Sequence, residues 1–435
     1  MQACRRLLFC SCSLTLLLSL AAWAGESRVI TVEEAVALAL GQNAGLQAAR
    51  ARLESGQAMA SGTARRLAPA IHVSDEYLHY NSDFSAAIAP GASFQVRKQD
   101  TNMFTVAVDQ PLLGLLRLSQ DYQGQRRGTE AGAAQLESAE LSLRQAVETV
   151  YLRMFEARAL EETAVASERE LNDRLEVARA QLATGVLTEA DVLRVQVAAA
   201  NARQQAIQAH AQGLVARANL LALLGMSTGD AEVSFAEPKS LLNAGQRVPE
   251  VGAAQYQALS HRPEMLQTRL SLAAGEHQQR ARLYSLLPEI DLEGAYMRSY
   301  GQVILPTNSG FIGLNAKWAI WEWGASYAAY RASLAQARAA AFDVENQKRQ
   351  ISAEVTSGMA QLDAASSAIS VAEQAIDSAQ EAYRVTDAQV KAGTATTTDL
   401  LEAQSALTQA RLNHLRAQYE LAISRVNLRR ALGRE

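Results

Sequence analysis

Residues 180–193 read AQLATGVLTEADVL, and residues 388–401 read AQVKAGTATTTDLL. Gly185 aligns with Gly393, Thr188 with Thr396, Asp191 with Asp399 and Leu193 with Leu401, all at one offset of 208. The same offset pairs Leu112-Leu113 with Ile320-Trp321, Tyr122 with Tyr330, Gln196 with Gln404, Asn219 with Asn427 and Leu224-Gly225 with Leu432-Gly433. Upstream the offset is 219, matching Leu46 to Met265, Pro69 to Pro288, Ile71 to Ile290 and Tyr77 to Tyr296. An insertion of about 11 residues near Asn81–Arg97 accounts for the change. The pattern predicts an internal duplication, with a first repeat over 25–225 and a second over 255–435. Residues 226–254, with Gly, Pro and Ser and no periodicity, read as a linker with little structure of its own.

Outside the quoted stretches the chain is rich in Ala, Leu, Gln, Glu and Arg, a composition that favours helix. Val355, Leu362, Ile369, Ile376, Tyr383 and Val390 recur every seventh residue. Ile351, Gly358, Ala365, Ala372 and Ala379 are interleaved with them. The first half carries a matching seam of Leu143, Val147, Val150, Met154, Ala157, Ala164, Leu171, Leu175, Ala178 and Leu182, interrupted by Glu161 and Glu168. Large and small residues alternating at 4-3 spacing are the mark of close-packed coiled-coil helices. Residues 120–184 and 325–392 would each make a rod roughly 100 Å long at about 1.5 Å per residue. Gly185 and Gly393 stand where a left-handed C′ glycine ends a helix. Thr188-x-x-Asp191 and Thr396-x-x-Asp399 then read as capping boxes that start the next helix. Each rod therefore turns back as a helical hairpin, returning through 189–225 and 397–432.

Four segments have the other period. In 69–80, 101–111, 288–300 and 309–321 apolar and polar residues alternate, as with Phe104, Val106 and Val108 against Thr105, Ala107 and Asp109. Each is long enough for a tilted transmembrane strand. Trp318, Trp321 and Trp323 gather at one end of the last, as an interfacial aromatic belt does. Alternation alone fits soluble hairpins equally well, and Asp75, on the otherwise apolar face of the first strand, counts against a membrane there.

The start of the chain reads as a secretory signal over 1–24. Arg5-Arg6 precede an apolar run over Leu7–Leu20, and Ala22-Trp23-Ala24 forms the cleavage site. Cys4, Cys10 and Cys12, all the cysteines present, lie within it, so the processed chain is expected to hold no thiol, disulfide or lipid anchor. A net charge of −4 gives no field for nucleic acid or anionic lipid. No stretch of 18 apolar residues follows the signal, which leaves β-strands as the only route into a membrane.

No phosphate-binding glycine loop or nucleophile elbow occurs. His72, His79, His210, His261, His277 and His414 lack metal-ligand spacing, and His72 and His79 fall on opposite strand faces. An enzyme, a metal site and a cofactor are not expected.

Helix, strand pair, long rod, tight hairpin and return helix, given twice, resemble the TolC-type outer-membrane efflux channels. The likeness is carried by the tips at 182–193 and 390–401, the junctions QPLLG (110–114) and WAIWEWG (318–324), and the ends NLLALLG (219–225) and NLRRALG (427–433). The resemblance implies an α+β membrane protein, with three chains giving four strands each to one 12-stranded barrel above a periplasmic coiled-coil helical tunnel. It implies a passive exit duct of a tripartite efflux or type I secretion system, docked to a periplasmic adaptor and an inner-membrane pump. A soluble periplasmic coiled-coil scaffold is the competing reading.

The tip acids Asp399 and Glu402 share a helix face. Threefold symmetry would bring six such carboxylates to the periplasmic mouth, and the resembled family carries its acidic constriction at the equivalent positions, with Asp191 matching the acid of the first repeat. Two other readings stay open. Asp191 and Asp399 can act as helix caps alone, and Arg194, equivalent by repeat to Glu402, can pair with it. The family's closing lock also uses a tyrosine and an arginine, and here those places hold Val390 and Ala395.

Overall fold

The computed structural model describes residues 29–227, 233–243 and 249–434. The expected signal segment, its cysteines and the cleavage site near Gly25 lie outside the described residues. In chain order the elements are β1 (Val29–Ile30), α1 (Val32–Gln42), α2 (Ala44–Arg65), β2 (Ala70–His79), β3 (Phe84–Ala89) and β4 (Ala92–Pro111). There follow α3 (Gly114–Ala183), α4 (Glu189–Leu224), β5 (Ser234–Phe235), α5 (Lys239–Leu242), α6 (Val251–His261) and α7 (Pro263–Tyr284). The chain ends with β6 (Glu289–Gln302), β7 (Asn308–Lys317), α8 (Ala325–Lys391) and α9 (Thr397–Ala431). They group into two compact units, one of residues 1–41 and 147–244, the other of 42–146 and 245–435.

The long rods are present. The 70 residues of α3 and the 67 of α8 give lengths of roughly 100 Å at about 1.5 Å per residue. Among the described residues no helix is long and apolar enough to cross a membrane. In the second unit α8 packs along α9, and its buried residues include Ile351, Val355, Gly358, Leu362, Ala365 and Ala372. These are the first rows of the heptad seam. Farther down, at Ile369, Ile376 and Tyr383, the seam is only half-buried. At Gly358 a Cβ would meet the Leu428 side chain and Cα of α9 at 3.6 and 3.9 Å, ordinary contact distances, so α8 and α9 pack closely here.

In the first unit α3 departs from the simple seam. Val147, Ala157, Ala164, Leu171, Leu175 and Ala178 are buried as the heptad requires, and so are Tyr151, Leu152, Phe155 and Leu160 on other faces. The added burial comes from the supposed linker. β5 pairs in parallel with β1, matching Val29 to Ser234 and Ile30 to Phe235. The Tyr151 hydroxyl lies 2.9 Å from the Ile30 carbonyl oxygen and 2.6 Å from that of Ala236. Phe235 meets the Tyr151 ring edge-on at 5.7 Å. Two strands of two residues each have no period to read, so this contact leaves no mark in the sequence.

The second unit holds the sheet, in the order β2-β4-β6-β7, antiparallel throughout. β3 also pairs with β4, beyond the end of β2. The sheet therefore has four strand positions but five strands, one more than the alternation suggested. The extra one is the insertion near Asn81–Arg97, which folds as a hairpin extending β4 to 20 residues and turns at Gly91. A second difference lies at β7, which stops at Lys317 and leaves Trp318, Trp321 and Trp323 beyond the strand. Trp321 and Trp323 meet edge-to-face at 5.8 Å.

Candidate functional site

Register shows what each face of the sheet carries, because directly paired residues share a face. Ile71 pairs with Val108 and Val73 with Val106. Val106 pairs in turn with Tyr296 and Val108 with Gly294, while Leu292 pairs with Leu314 and Gly294 with Ile312. These residues form one continuous apolar band. Next outward on the same face comes a row of Asp75, Phe104, Arg298 and Asn308, polar except for Phe104. Asp75 thus sits where the band ends, accepting a hydrogen bond from the Asn102 side chain at 2.7 Å. The opposite face carries Asp109 with His72 at 3.4 Å, and Glu293, which accepts from Asn315 at 2.7 Å.

The apolar face is also the open one. Along β6 Leu292, Tyr296, Arg298 and Tyr300 are exposed, whereas Glu293, Ala295, Met297 and Ser299 are half-buried or buried. Ile312 is 84% exposed, Leu314 69% and Ile71 71%. Along β6 Leu292 and Tyr296 are thus more exposed than Asp291 and Glu293 of the opposite face, the reverse of a water-soluble sheet, whereas β2 is exposed on both faces.

The two helical tips are built alike. At the end of α3, Gly185 has φ 75°, its N–H donates to the Leu182 carbonyl at 3.0 Å, and the Val186 N–H donates to Gln181 at 2.9 Å. At the end of α8, Gly393 has φ 74°, its N–H donates to Val390 at 3.0 Å, and the Thr394 N–H donates to Gln389 at 2.9 Å. Both are Schellman closures, which need a left-handed residue that only glycine supplies without strain. The capping boxes follow at once. Thr188 Oγ1 accepts from the Asp191 N–H at 3.3 Å while Asp191 accepts from the Thr188 N–H at 3.1 Å. At Thr396 and Asp399 the same bonds measure 3.2 and 2.8 Å.

These bonds hold both carboxyls below the ordinary aspartate range. For Asp191 the Thr188 hydroxyl acts first, then its backbone N–H, with Arg194 adding to both. For Asp399 the Thr396 backbone N–H acts first, then its hydroxyl. Arg194 stands 3.2 Å from Asp191. Glu402 has neither role: it is exposed, and among the described residues it makes no ion pair. On the other side of the same helix Leu400, Gln404 and Leu407 are buried. Among the described residues the Gln404 side-chain amide has no hydrogen-bond partner at either end. Sequence reasoning passed over it, although its match to Gln196 was visible.

Glu161, which breaks the α3 seam, is met by His210 of α4 at 3.0 Å, on the wall of a cleft of about 560 Å³ that also holds Phe155, Arg217 and Phe235.

The description of outer membrane efflux proteins matches residues 35–226 and again 254–434. The chain belongs to the outer membrane efflux protein family. Among curated proteins it is 25% identical over 300 residues to the outer membrane efflux protein BepC of Brucella suis biovar 1 (strain 1330). That match covers 67% of this chain and 63% of the relative, so the chain spans less than two thirds of its length. Among solved structures, the outer membrane protein VceC of Vibrio cholerae superposes with a TM-score of 0.80 at 18% identity, covering 92% of this chain and 96% of that one. The Campylobacter jejuni CmeC outer membrane channel superposes with a TM-score of 0.82 at 16% identity, covering 92% and 85%. At such identities these likenesses show the fold, which is that of outer-membrane channels with long helical hairpins.

Proposed function

We propose that this protein is the outer-membrane duct of a tripartite efflux or type I secretion system, a passive exit whose energy comes from an inner-membrane pump through a periplasmic adaptor. The observation that carries this is the inverted sheet, apolar and exposed on one face, in a chain that also builds helices of roughly 100 Å. Four strand positions leave two open edges, β2 and β7, and an unpaired edge in lipid costs several kcal/mol per backbone group. Several copies must therefore pool strands. Eight strands are already filled by their own side chains, so an open lumen needs more, and three copies would supply 12. The two family matches and the paired tips support reading the chain as a duplicated unit, whose six hairpins per trimer would line a tunnel below the barrel. A soluble scaffold is not favoured, because it would leave the apolar face in water.

At the periplasmic entrance we assign the negative ring to Glu402, with Asp399 and Asp191 contributing charge from their capping positions. Like charges meeting at a narrow mouth attract cations and oppose collapse. The test is reconstitution into planar bilayers after recovery from the outer-membrane fraction. A cation-selective conductance, reduced in selectivity by Glu402→Ala, supports the reading. Recovery in the soluble periplasmic fraction contradicts it.

A further inference from the structure

We propose that the outer end of the apolar face holds a binding site for the phosphate of an outer-leaflet lipid headgroup, built from Lys98, Arg298 and Tyr300. It rests on the outer-membrane reading above. The Lys98 Nζ lies 5.2 Å from the centre of the Tyr300 ring. Arg298 is exposed two residues earlier on the same strand face, about 7 Å away along the strand. The two cations thus flank one exposed aromatic ring.

Neither cation has an acid to neutralise it. Among the described residues Lys98 and Arg298 form no ion pair. The cross-strand neighbours of Arg298 are Phe104 and Asn308, and Asn308 accepts from the Tyr296 hydroxyl at 3.0 Å. The acids on that face are engaged elsewhere. Asp75 is held by Asn102, and Asp100 accepts from the Tyr77 hydroxyl at 2.7 Å and contacts His79 at 2.7 Å.

The arrangement is fixed by the backbone. Between Arg97 and Asn102 the pairing of β4 with β6 shifts register. Gly301 sits opposite this irregularity with φ +82°, and a Cβ there would overlap the Asp100 carbonyl oxygen. Lys98 lies within this irregular stretch of β4, over the Tyr300 ring.

Depth gives the ligand its class. β7 is ten residues long, so it rises roughly 30 Å along its axis and about 23 Å along the membrane normal at a tilt near 40°. Trp318, Trp321 and Trp323 follow its inner end, and the Arg298–Asn308 row marks its outer end. That separation matches an apolar band of about 25 Å. Lys98 and Arg298 therefore sit at headgroup level directly above Ile312 and Tyr296, where a ligand must carry an anion above acyl chains. An outer-leaflet phosphoglycolipid has that chemistry, and a free phosphate does not.

The experiment is native mass spectrometry of the detergent-purified full protein mixed with lipid A, with dephosphorylated lipid A, or with lipid A plus millimolar inorganic phosphate. Lipid A should be retained about tenfold better than its dephosphorylated form, as two cations near an anionic surface imply. Lys98→Gln with Arg298→Gln should remove that preference. Arg298→Lys should keep it, and so should Lys317→Gln at the other end of the sheet. Equal retention of the two lipids by the wild-type protein, an unchanged preference in the double variant, or displacement by inorganic phosphate would overturn the site. Co-flotation with vesicles separates the two readings: a protein that does not enter vesicles overturns the membrane reading and this site together, whereas normal insertion without phosphate preference overturns the site alone.

Discussion

Asp399 accepts hydrogen bonds from both the backbone N–H and the hydroxyl of Thr396, at 2.8 and 2.7 Å, while its own N–H donates back to that hydroxyl oxygen at 3.2 Å. The same closed pair joins Thr188 and Asp191. Both tip aspartates are thus engaged in starting helices, whereas Glu402 makes no ion pair among the described residues.

Removing the cap should cost stability and leave permeation alone. Thr396→Ala is expected to destabilise the tip by about 0.5–2 kcal/mol, read as a lower denaturation midpoint with unchanged conductance. Because the Asp399 carboxyl is held below its ordinary 3.8, its contribution is complete above that pH and disappears as pH falls through the lowered value. The T396A variant should therefore lose part of the acid sensitivity of the wild-type tip, measured by hydrogen exchange at the start of α9.

Glu402→Ala should do the opposite, lowering cation selectivity and block by multivalent cations while thermal stability stays the same. A loss of stability with unaltered selectivity would make Glu402 a structural residue.

The two faces of the sheet should differ in what they tolerate. Val106→Arg and Leu314→Arg place charge on the apolar band and should impair assembly by about 2–4 kcal/mol each near the bilayer midplane. Asn315→Lys, beside Glu293 on the other face, and Thr105→Lys should assemble normally. Equal tolerance would mean that the sheet is not in a bilayer.

A partly buried network centred on Arg262 and Glu264 ties α3, α7, α8 and α9 together. Glu264 pairs with Arg430 and accepts from Ser138 at 2.7 Å, while Arg262 pairs with both Glu264 and Glu354. Burial alone would raise the Glu264 pKa, but hydrogen bonds from Arg430 and Ser138 outweigh it and bring it down to about 2. Its stabilisation is therefore complete above about 4.5 and lost as pH falls toward 2. Glu264→Ala leaves Arg262 and Arg430 buried with less compensation and should cost about 3–5 kcal/mol at neutral pH, measured by chemical denaturation.

The tips were fully legible because a C′ glycine and a capping box are local codes, and each was written twice. The rods were legible from the heptad, down to the burial of Val355, Leu362 and Ala365. The knot at Tyr151 was not, since its partners are carbonyls of Ile30 and Ala236, brought together by strands too short for any pattern. The β3 hairpin hid for another reason: Phe84–Ala89 has no charged residue and Ser85 as its one polar residue, so it shows no alternation. Asp75 misled in the sequence because its face changes from apolar to polar along the strand, which only the register with Phe104 and Arg298 reveals.

The central claim is that several copies close one barrel, and the mass of the protein extracted in mild detergent tests it most directly. Three copies per particle is the expected result, because three fours give a lumen and four strands cannot close. A stable monomer, or a dimer whose eight strands would be filled by side chains, would contradict it.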